Sequence, residues 1–444
     1  MGRRSHSQRL NIWMNGVPVG YWEVSRNSSQ FGYFDAWLED EQGRPLSLSL
    51  PFLPGNATYQ GHIVTDYFDN LLPDSDAIRR RLARHHSADS TSVFDLLAKI
   101  GRDCAGAIQL LPEDEEPSDI YEINGQALNE AGVAAQLRSA TAVGGIGHHH
   151  DGGNLRISIA GAQEKTALLL QDGKWCLPAG STPTTHIFKL PLGLVGQMRA
   201  DMRTSVENEW LCSKIMEAFK IPVAHCDIGF FEDQKALVVE RFDRALASDK
   251  SWIIRLPQED MCQAMGIPPL HKYQADGGPG IAKIMDLLLG SEDASSDRRH
   301  FFKTQLIFWL LAAPDGHAKN YSLAILAGGR YRATPIYDVL SAHPVMGHGP
   351  NQLSPRKAKM AMAVKGQSNH YRFAEILRRH WIEQAKQVGF ANTEAEQLIK
   401  EVIALTKEAI GKVETLIPRD FPMDVAEAIF SGMRDQCSKL EVDR

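Results

Sequence analysis

Asp315-Gly316-His317-Ala318-Lys319-Asn320 holds two side chains suited to moving a phosphoryl group. A carboxylate can accept the proton of a hydroxyl nucleophile, and a neutral amide oxygen five positions on can ligate magnesium. Asp-Gly is also a frequent turn dipeptide, so this spacing alone leaves a plain turn open. The residues that follow narrow the choice. Two strand-like runs, 321–326 and 330–336, flank Ala327-Gly328-Gly329, which reads as a hairpin turn. A turn centred between Gly328 and Gly329 sets Asn320 opposite Tyr337 and Lys319 opposite Asp338, and antiparallel neighbours lie about 5 Å apart. Asp338 would then join Asn320 at a magnesium ion; an Asp that caps the next segment is the alternative.

A phosphoryl-transfer site also needs a backbone cradle and a lysine. Ile159-Ala160-Gly161-Ala162-Gln163-Glu164-Lys165 joins two strands with small residues that let amide N–H groups approach phosphate oxygens, although a plain hairpin loop has the same look. Lys189, in His186-Ile187-Phe188-Lys189-Leu190, has apolar neighbours, where an unpaired ammonium is costly to bury. Phosphates or a carboxylate would compensate it. Glu207 and Glu209 are both possible partners, and the helical period does not choose between them. Val238-Val239-Glu240-Arg241-Phe242-Asp243 ends the strand-rich stretch; backbone groups near Glu240 and Phe242 could meet adenine edges there, or simply pack a strand end.

Around these residues the chain alternates in composition. Residues 10–53 read as a small β-rich unit, followed by helices capped by Asp74 or Ser75 and by Ser92. Strands are expected over 155–159, 166–170, 174–177, 185–190, 224–231 and 235–242, with a helix over 205–220 between the last two pairs. Beyond 249 long helical stretches dominate: 281–289, 300–312, 371–388 and 395–416. The glycine-rich break 144–153, with His148, His149 and His150, reads as a solvated loop; adjacent histidines do not converge on one ion in a regular element. At roughly 100–200 residues per domain, 444 residues imply two to four domains. We expect three: 1–125, a β-rich and helical N-terminal unit; 126–246, an ATP-binding small lobe; and 247–444, a helical C-terminal lobe with the catalytic loop.

With 43% hydrophobic and 23% charged residues the composition excludes a disordered chain. A net charge of −6 argues against a coat that binds nucleic acid unaided. Six scattered cysteines show no zinc spacing, residues 10–16 are too short for a signal-peptide core, and no apolar run reaches about 18 residues. A soluble cytoplasmic protein is expected.

Eight ordered blocks carry a resemblance: Arg44-Pro45-Leu46-Ser47-Leu48-Ser49-Leu50-Pro51, Phe68-Asp69-Asn70-Leu71-Leu72-Pro73-Asp74-Ser75, Ile159-Ala160-Gly161-Ala162-Gln163-Glu164-Lys165-Thr166, Thr182-Pro183-Thr184-Thr185-His186, Val239-Glu240-Arg241-Phe242-Asp243, Leu256-Pro257-Gln258-Glu259-Asp260, Asp276-Gly277-Gly278-Pro279-Gly280 and Asp315-Gly316-His317-Ala318-Lys319-Asn320. The chain resembles the HipA serine/threonine kinase toxins of bacterial type II toxin–antitoxin systems. That resemblance implies an α+β, bilobed fold related to protein and lipid kinases, with an all-helical C-terminal lobe and with ATP and Mg2+ in the cleft. Asp315 would be the catalytic base, Asn320 and Asp338 magnesium ligands, and Lys189 the phosphate-contacting lysine. Residues Ile159 to Lys165 would form the phosphate loop, with Glu240, Phe242 and His317 completing the cofactor site. Ser158 matches a serine that family members autophosphorylate to eject that loop and inactivate themselves. The resemblance further implies glutamyl-tRNA synthetase as target, growth arrest and persistence as outcome, and a HipB-like helix-turn-helix antitoxin through which operator DNA is bound and repressed. Ile159 departs modestly from the valine common there.

Two other readings remain at this level. One is a non-catalytic co-repressor of pseudokinase type. The other is a hydrolase using Asp338, Ser341 and His343, which lacks a G-x-S-x-G elbow.

Overall fold

The computed structural model describes residues 7–26, 28–141, 158, 160, 163–196 and 198–442. The first unit is a five-stranded antiparallel sheet in the spatial order Tyr59–Gln60, Ser29–Tyr33, Val17–Val24, Gln8–Met14, Ile108–Pro112. Alternation along these strands turns Trp22 and Phe31 inward, and helices His62–Asp69 and Val93–Ile100 cover them with Phe68 and Phe94. Trp22 stacks on Phe68 with ring centroids 4.2 Å apart.

A second, six-stranded antiparallel sheet has the order Cys226–Phe231, Gln234–Glu240, His186–Lys189, Lys165–Gln171, Lys174–Pro178, Gly125–Ala127. Helix Ser205–Ala218 packs beneath it, burying Val206, Trp210, Ile215 and Met216. That hydrophobic cluster runs on without a break into the C-terminal lobe, where the helices Ala294–Leu310, Arg378–Gln387, Asn392–Glu414 and Met423–Glu441 surround Trp309 and Trp381.

The class is α+β. The C-terminal lobe is not purely helical, however: it carries the three-stranded sheet Gln258–Asp260, Ser322–Ile325, Tyr331–Ala333 and the hairpin Lys359–Lys365 with Asn369–Arg372. Residues expected to begin a helix at 371 instead finish that hairpin, where Lys359 pairs with Arg372, Val364 with His370 and Lys365 with Asn369, which serves the backbone at buried Val364.

Two buried clusters are among the contacts that fasten the N-terminal unit to the rest. Arg241, Arg244 and Arg255 converge on Asp103 and Asp243, all five nearly completely buried. Arg241 makes a two-pronged contact with Asp243 at 2.9 and 2.8 Å, and Arg244 reaches Asp103 at 2.8 Å. Burial disfavours the Asp103 carboxylate, yet the three guanidinium groups outweigh it and hold the carboxyl far below its usual range. Gly106, at φ +74, donates its N–H to Asp243; a Cβ there would stand 2.7 Å from the Gln258 carbonyl oxygen, so only glycine fits. The second fastening is the Arg44–Pro51 block. Leu48 N–H donates to Glu259 at 2.8 Å, Ser49 Oγ donates to the Gln263 carbonyl at 2.7 Å, and Ser47 Oγ bonds Glu259.

Candidate active site

The buried helix Ala294–Leu310 delivers the chain to a tight loop at 315–320. His317 N–H donates to the Asp315 carbonyl at 2.8 Å, and Asn320 N–H donates to the His317 carbonyl at 3.0 Å. The Asn320 side-chain amide donates to the Asp315 carbonyl at 2.7 Å. Its nitrogen is thereby committed, and its Oδ1 accepts no hydrogen bond among the described residues. Asp315 keeps a side chain 45% exposed to the cleft. Tyr273 O–H donates to its Oδ1, and His317 Nε2 lies 3.5 Å from the same oxygen. Burial pushes the His317 imidazole down to about 4, so it is neutral at pH 7, and its Nδ1 has no partner among the described residues.

The expected hairpin forms with its register shifted by one. Leu323 faces Ala333, Ala324 faces Arg332 and Ile325 faces Tyr331, centring the turn on Gly328. Gly328 and Gly329 both take positive φ, at +71 and +76. The last ladder bond is Thr334 N–H to the Ser322 carbonyl at 3.0 Å. Pro335 has no N–H with which to continue, and Ile336 N–H turns away to the Pro222 carbonyl. Asn320 and Tyr337 are therefore not a ladder pair, nor are Lys319 and Asp338. A side chain does what the ladder does not: Tyr337 O–H donates to the Lys319 carbonyl at 2.9 Å, and Asp338 arrives in the same cleft as Asn320. Asp338 adopts φ +59, a strained left-handed conformation that Asp tolerates better than most residues.

Lys189, only 4% exposed, forms ion pairs with both Glu209 and Asp338. Helix Ser205–Ala218 thus settles which glutamate serves it, since Glu207 is taken by Lys235 at 2.5 Å. Lys165 stands directly across the sheet from Lys189, and burial together with that facing charge brings its ammonium down to about 7. Two facing lysines destabilise a sheet unless an anion joins them. Lys165 Nζ donates to the Ala160 carbonyl at 2.6 Å, and Gln163 Nε2 donates to the Leu190 carbonyl at 2.5 Å. Ile159, Gly161 and Ala162, like His148 to His150, lie outside the described residues. Glu164 does not face the cleft; its carboxylate binds Arg81 of the N-terminal unit, Oε1 to Nη1 at 2.6 Å, because that guanidinium is its nearest counter-charge. Ser158 is 0% exposed and donates its hydroxyl to the Leu71 carbonyl at 2.8 Å. A phosphate could reach it only after it leaves that position.

At the other end of the cleft, Glu240 N–H donates to the His225 carbonyl and Arg241 N–H to the Thr185 carbonyl, each at 2.9 Å. Phe242 N–H has no protein acceptor among the described residues, and the Phe242 ring lies 5.8 Å from that of Tyr337. Ala160, Gln163, Lys165, Lys189, Glu240, Phe242, Asp315, His317, Asn320 and Asp338 all line one cleft of about 220 Å³. The hydrolase arrangement does not form: Ser341 Oγ donates to the Leu311 carbonyl at 2.6 Å and His343 Nε2 meets the Leu310 carbonyl at 2.9 Å.

Several lining residues escaped sequence reasoning. Asn70, Leu71 and Asp74 show that the N-terminal unit is one wall of the cleft. Asp74 pairs with Lys272 at 2.8 Å, and Lys319 lies between Asn70 and Asp260. The block 68–75 was the signal for these contacts, but nothing local in it indicates a distant lysine.

The donor set suits a hard divalent cation. Asn320 Oδ1 is free, and the Asp338 oxygen not held by Lys189 has no partner among the described residues. These are oxygen ligands of the kind magnesium takes.

The model for the HipA N-terminal domain matches residues 10–111, and that for the HipA-like C-terminal domain matches residues 157–410. The chain belongs to the HipA family. This HipA-family chain is 33% identical over 411 residues to "Putative kinase Y4mE" of Sinorhizobium fredii, covering 91% of each. It is 27% identical over 354 residues to the serine/threonine-protein kinase toxin HipA of Shewanella oneidensis, covering 75% of each. Among solved structures it matches a complex of the Shewanella oneidensis toxin–antitoxin proteins HipA and HipB with operator DNA, at TM-score 0.77 and 20% identity, covering 98% of this chain and 100% of that one. The HipA fold is shared over essentially the whole length. No helix among the described residues is long and apolar enough to cross a membrane.

Proposed function

We propose that this HipA-family chain is an ATP- and Mg2+-dependent protein serine/threonine kinase acting as the toxin of a type II toxin–antitoxin module. The observation that carries the reading is the meeting, in one cleft, of Asp315, Asn320, Asp338 and the Lys189–Glu209 pair below the open backbone of Phe242. Phe242 N–H, which has no acceptor among the described residues, would hold the adenine edge of ATP, and Lys165 and Lys189 would hold its phosphates. Glu209 keeps Lys189 oriented, and Lys189 would neutralise phosphate charge. Asn320 and Asp338 would hold magnesium, which when bound neutralises charge on the phosphates. Asp315 accepts the proton of a serine hydroxyl through its oxygen not engaged by Tyr273, and Tyr273 fixes the carboxylate's direction. His317, neutral and buried, adds no charge beside that base.

The target we favour is glutamyl-tRNA synthetase, whose phosphorylation would arrest growth and give persistence. A HipB-like helix-turn-helix antitoxin would neutralise the toxin in the cytoplasm and bring it to operator DNA. Autophosphorylation at Ser158 is part of the same reading, and requires the segment to leave its bond to Leu71. Two phosphate charges cannot be housed at a fully buried hydroxyl, so modification would keep the segment out.

The test is incubation of labelled ATP, Mg2+ and purified glutamyl-tRNA synthetase with the parent and with Asp315→Asn. Label on the synthetase from the parent only supports the reading. Growth inhibition that survives Asp315→Asn returns the non-catalytic co-repressor.

A further inference from the structure

Resting on the kinase reading, we propose that the N-terminal unit is a working part of the metal site, with Asn70 and Lys319 as positioning residues for the two cation ligands. Lys319 is buried, with 6% exposure, one residue before Asn320. Its ammonium donates to the Asn70 carbonyl at 2.7 Å, to Asn70 Oδ1 at 2.9 Å and to Asp260 Oδ2 at 3.0 Å. All three of its protons are thus used, two of them on one residue of the N-terminal unit.

The acceptors are themselves fixed. Asn70 Nδ2 donates to the Asp66 carbonyl at 2.8 Å and to the Ile267 carbonyl at 2.9 Å, bridging the two units. Asp260 caps the helix Met261–Ala264 through Gln263 N–H at 2.9 Å. At its other end the same lysine holds the second ligand, because its carbonyl accepts the Tyr337 O–H at 2.9 Å and Tyr337 directly precedes Asp338. One residue therefore anchors Asn320 through the chain and Asp338 through Tyr337, and its own anchor lies in a different structural unit. Groups that orient metal ligands without touching the metal commonly change metal affinity by tenfold or more when removed.

The experiment titrates Mg2+ into a fluorescent ATP analogue bound to the full-length protein, comparing the parent with Asn70→Ala and Asn70→Asp. Both variants lose the donors to Asp66 and Ile267, but only Asn70→Asp keeps a side-chain acceptor for Lys319. The expected result is a half-saturating Mg2+ concentration about tenfold higher in Asn70→Ala, and within about twofold of the parent in Asn70→Asp. An unshifted Mg2+ curve in Asn70→Ala overturns the inference while leaving the kinase reading intact. Equal shifts in both variants also overturn it, since they assign the effect to packing across the unit boundary. A parent that binds the analogue with no Mg2+ dependence overturns the kinase reading itself, and this inference with it.

Discussion

Asp315 gives one carboxylate oxygen to Tyr273 and leaves the other without a protein partner among the described residues, as the base we propose requires. Asp315→Asn removes the basic oxygen and little else, so phosphoryl transfer should fall by at least about 10²-fold while nucleotide still binds; a radiolabel assay beside an ATP-analogue titration checks both. Lys189 makes a different kind of contribution. Replaced by Met, it would leave Glu209 buried without its cation and Asp338 facing it, a change that breaks a largely buried ion pair at about 3 kcal/mol. Lys189→Met should therefore lose both analogue binding and several degrees of melting temperature. Asp315→Asn should lose neither, and differential scanning fluorimetry of the two variants separates the roles. The types and spacing of Asp315, Asn320 and Lys189 were readable from the chain because each is named by its local motif. The choice of Glu209 over Glu207 was not, because it depends on where Lys235 of a neighbouring strand points.

At the scale of elements, the segment Arg44–Pro51 has almost no regular structure and still joins two units through Glu259. Burial pushes the Glu259 carboxyl from 4.5 up to about 8, so the folded chain holds a proton that the unfolded chain releases near 4.5. This group's contribution to stability is therefore largest at low pH, declines as pH rises from about 4.5, and is gone above about 8. Glu259→Gln imitates the protonated form at every pH. Its melting temperature should gain on that of the parent between about pH 4.5 and 8; parallel curves over that range would show that the Glu259 carboxyl is not raised in the fold. The hairpin after Asn320 carries a related lesson. Its two glycines and its strand runs were legible, but its register was not, since Pro335 ends the ladder and tertiary bonds to Pro222 and Lys319 decide where Ile336 and Tyr337 go.

At the scale of the whole molecule, the N-terminal sheet, the small lobe and the helical lobe meet at Asp103, Arg241, Asp243, Arg244 and Arg255. Three guanidinium groups and two carboxylates there are kept from water; further donors meet the carbonyls of Cys104, Gly106 and Ser181, while Arg244 Nε and Arg255 Nε have no acceptor among the described residues. Asp103→Ala would leave three buried cations facing one carboxylate, and the cost is of the order of 3–5 kcal/mol. The expected outcome is a lower melting temperature together with early protease cleavage between the N-terminal unit and the small lobe. A variant as protease-resistant as the parent would show that the apolar contacts alone hold the units together.

The chain by itself carried the α+β class and the local motifs that hold Asp315, Asn320 and Lys189. Those features rest on periodicity and on side chains within a few residues of one another. Only tertiary structure decided that Asn70 and Asp74 form a wall of the cleft, that Glu164 faces Arg81 and that Ser158 is sealed against Leu71. Each is a contact between residues about 80 or more positions apart, and local pattern carries no information about which distant charge or carbonyl a side chain will meet.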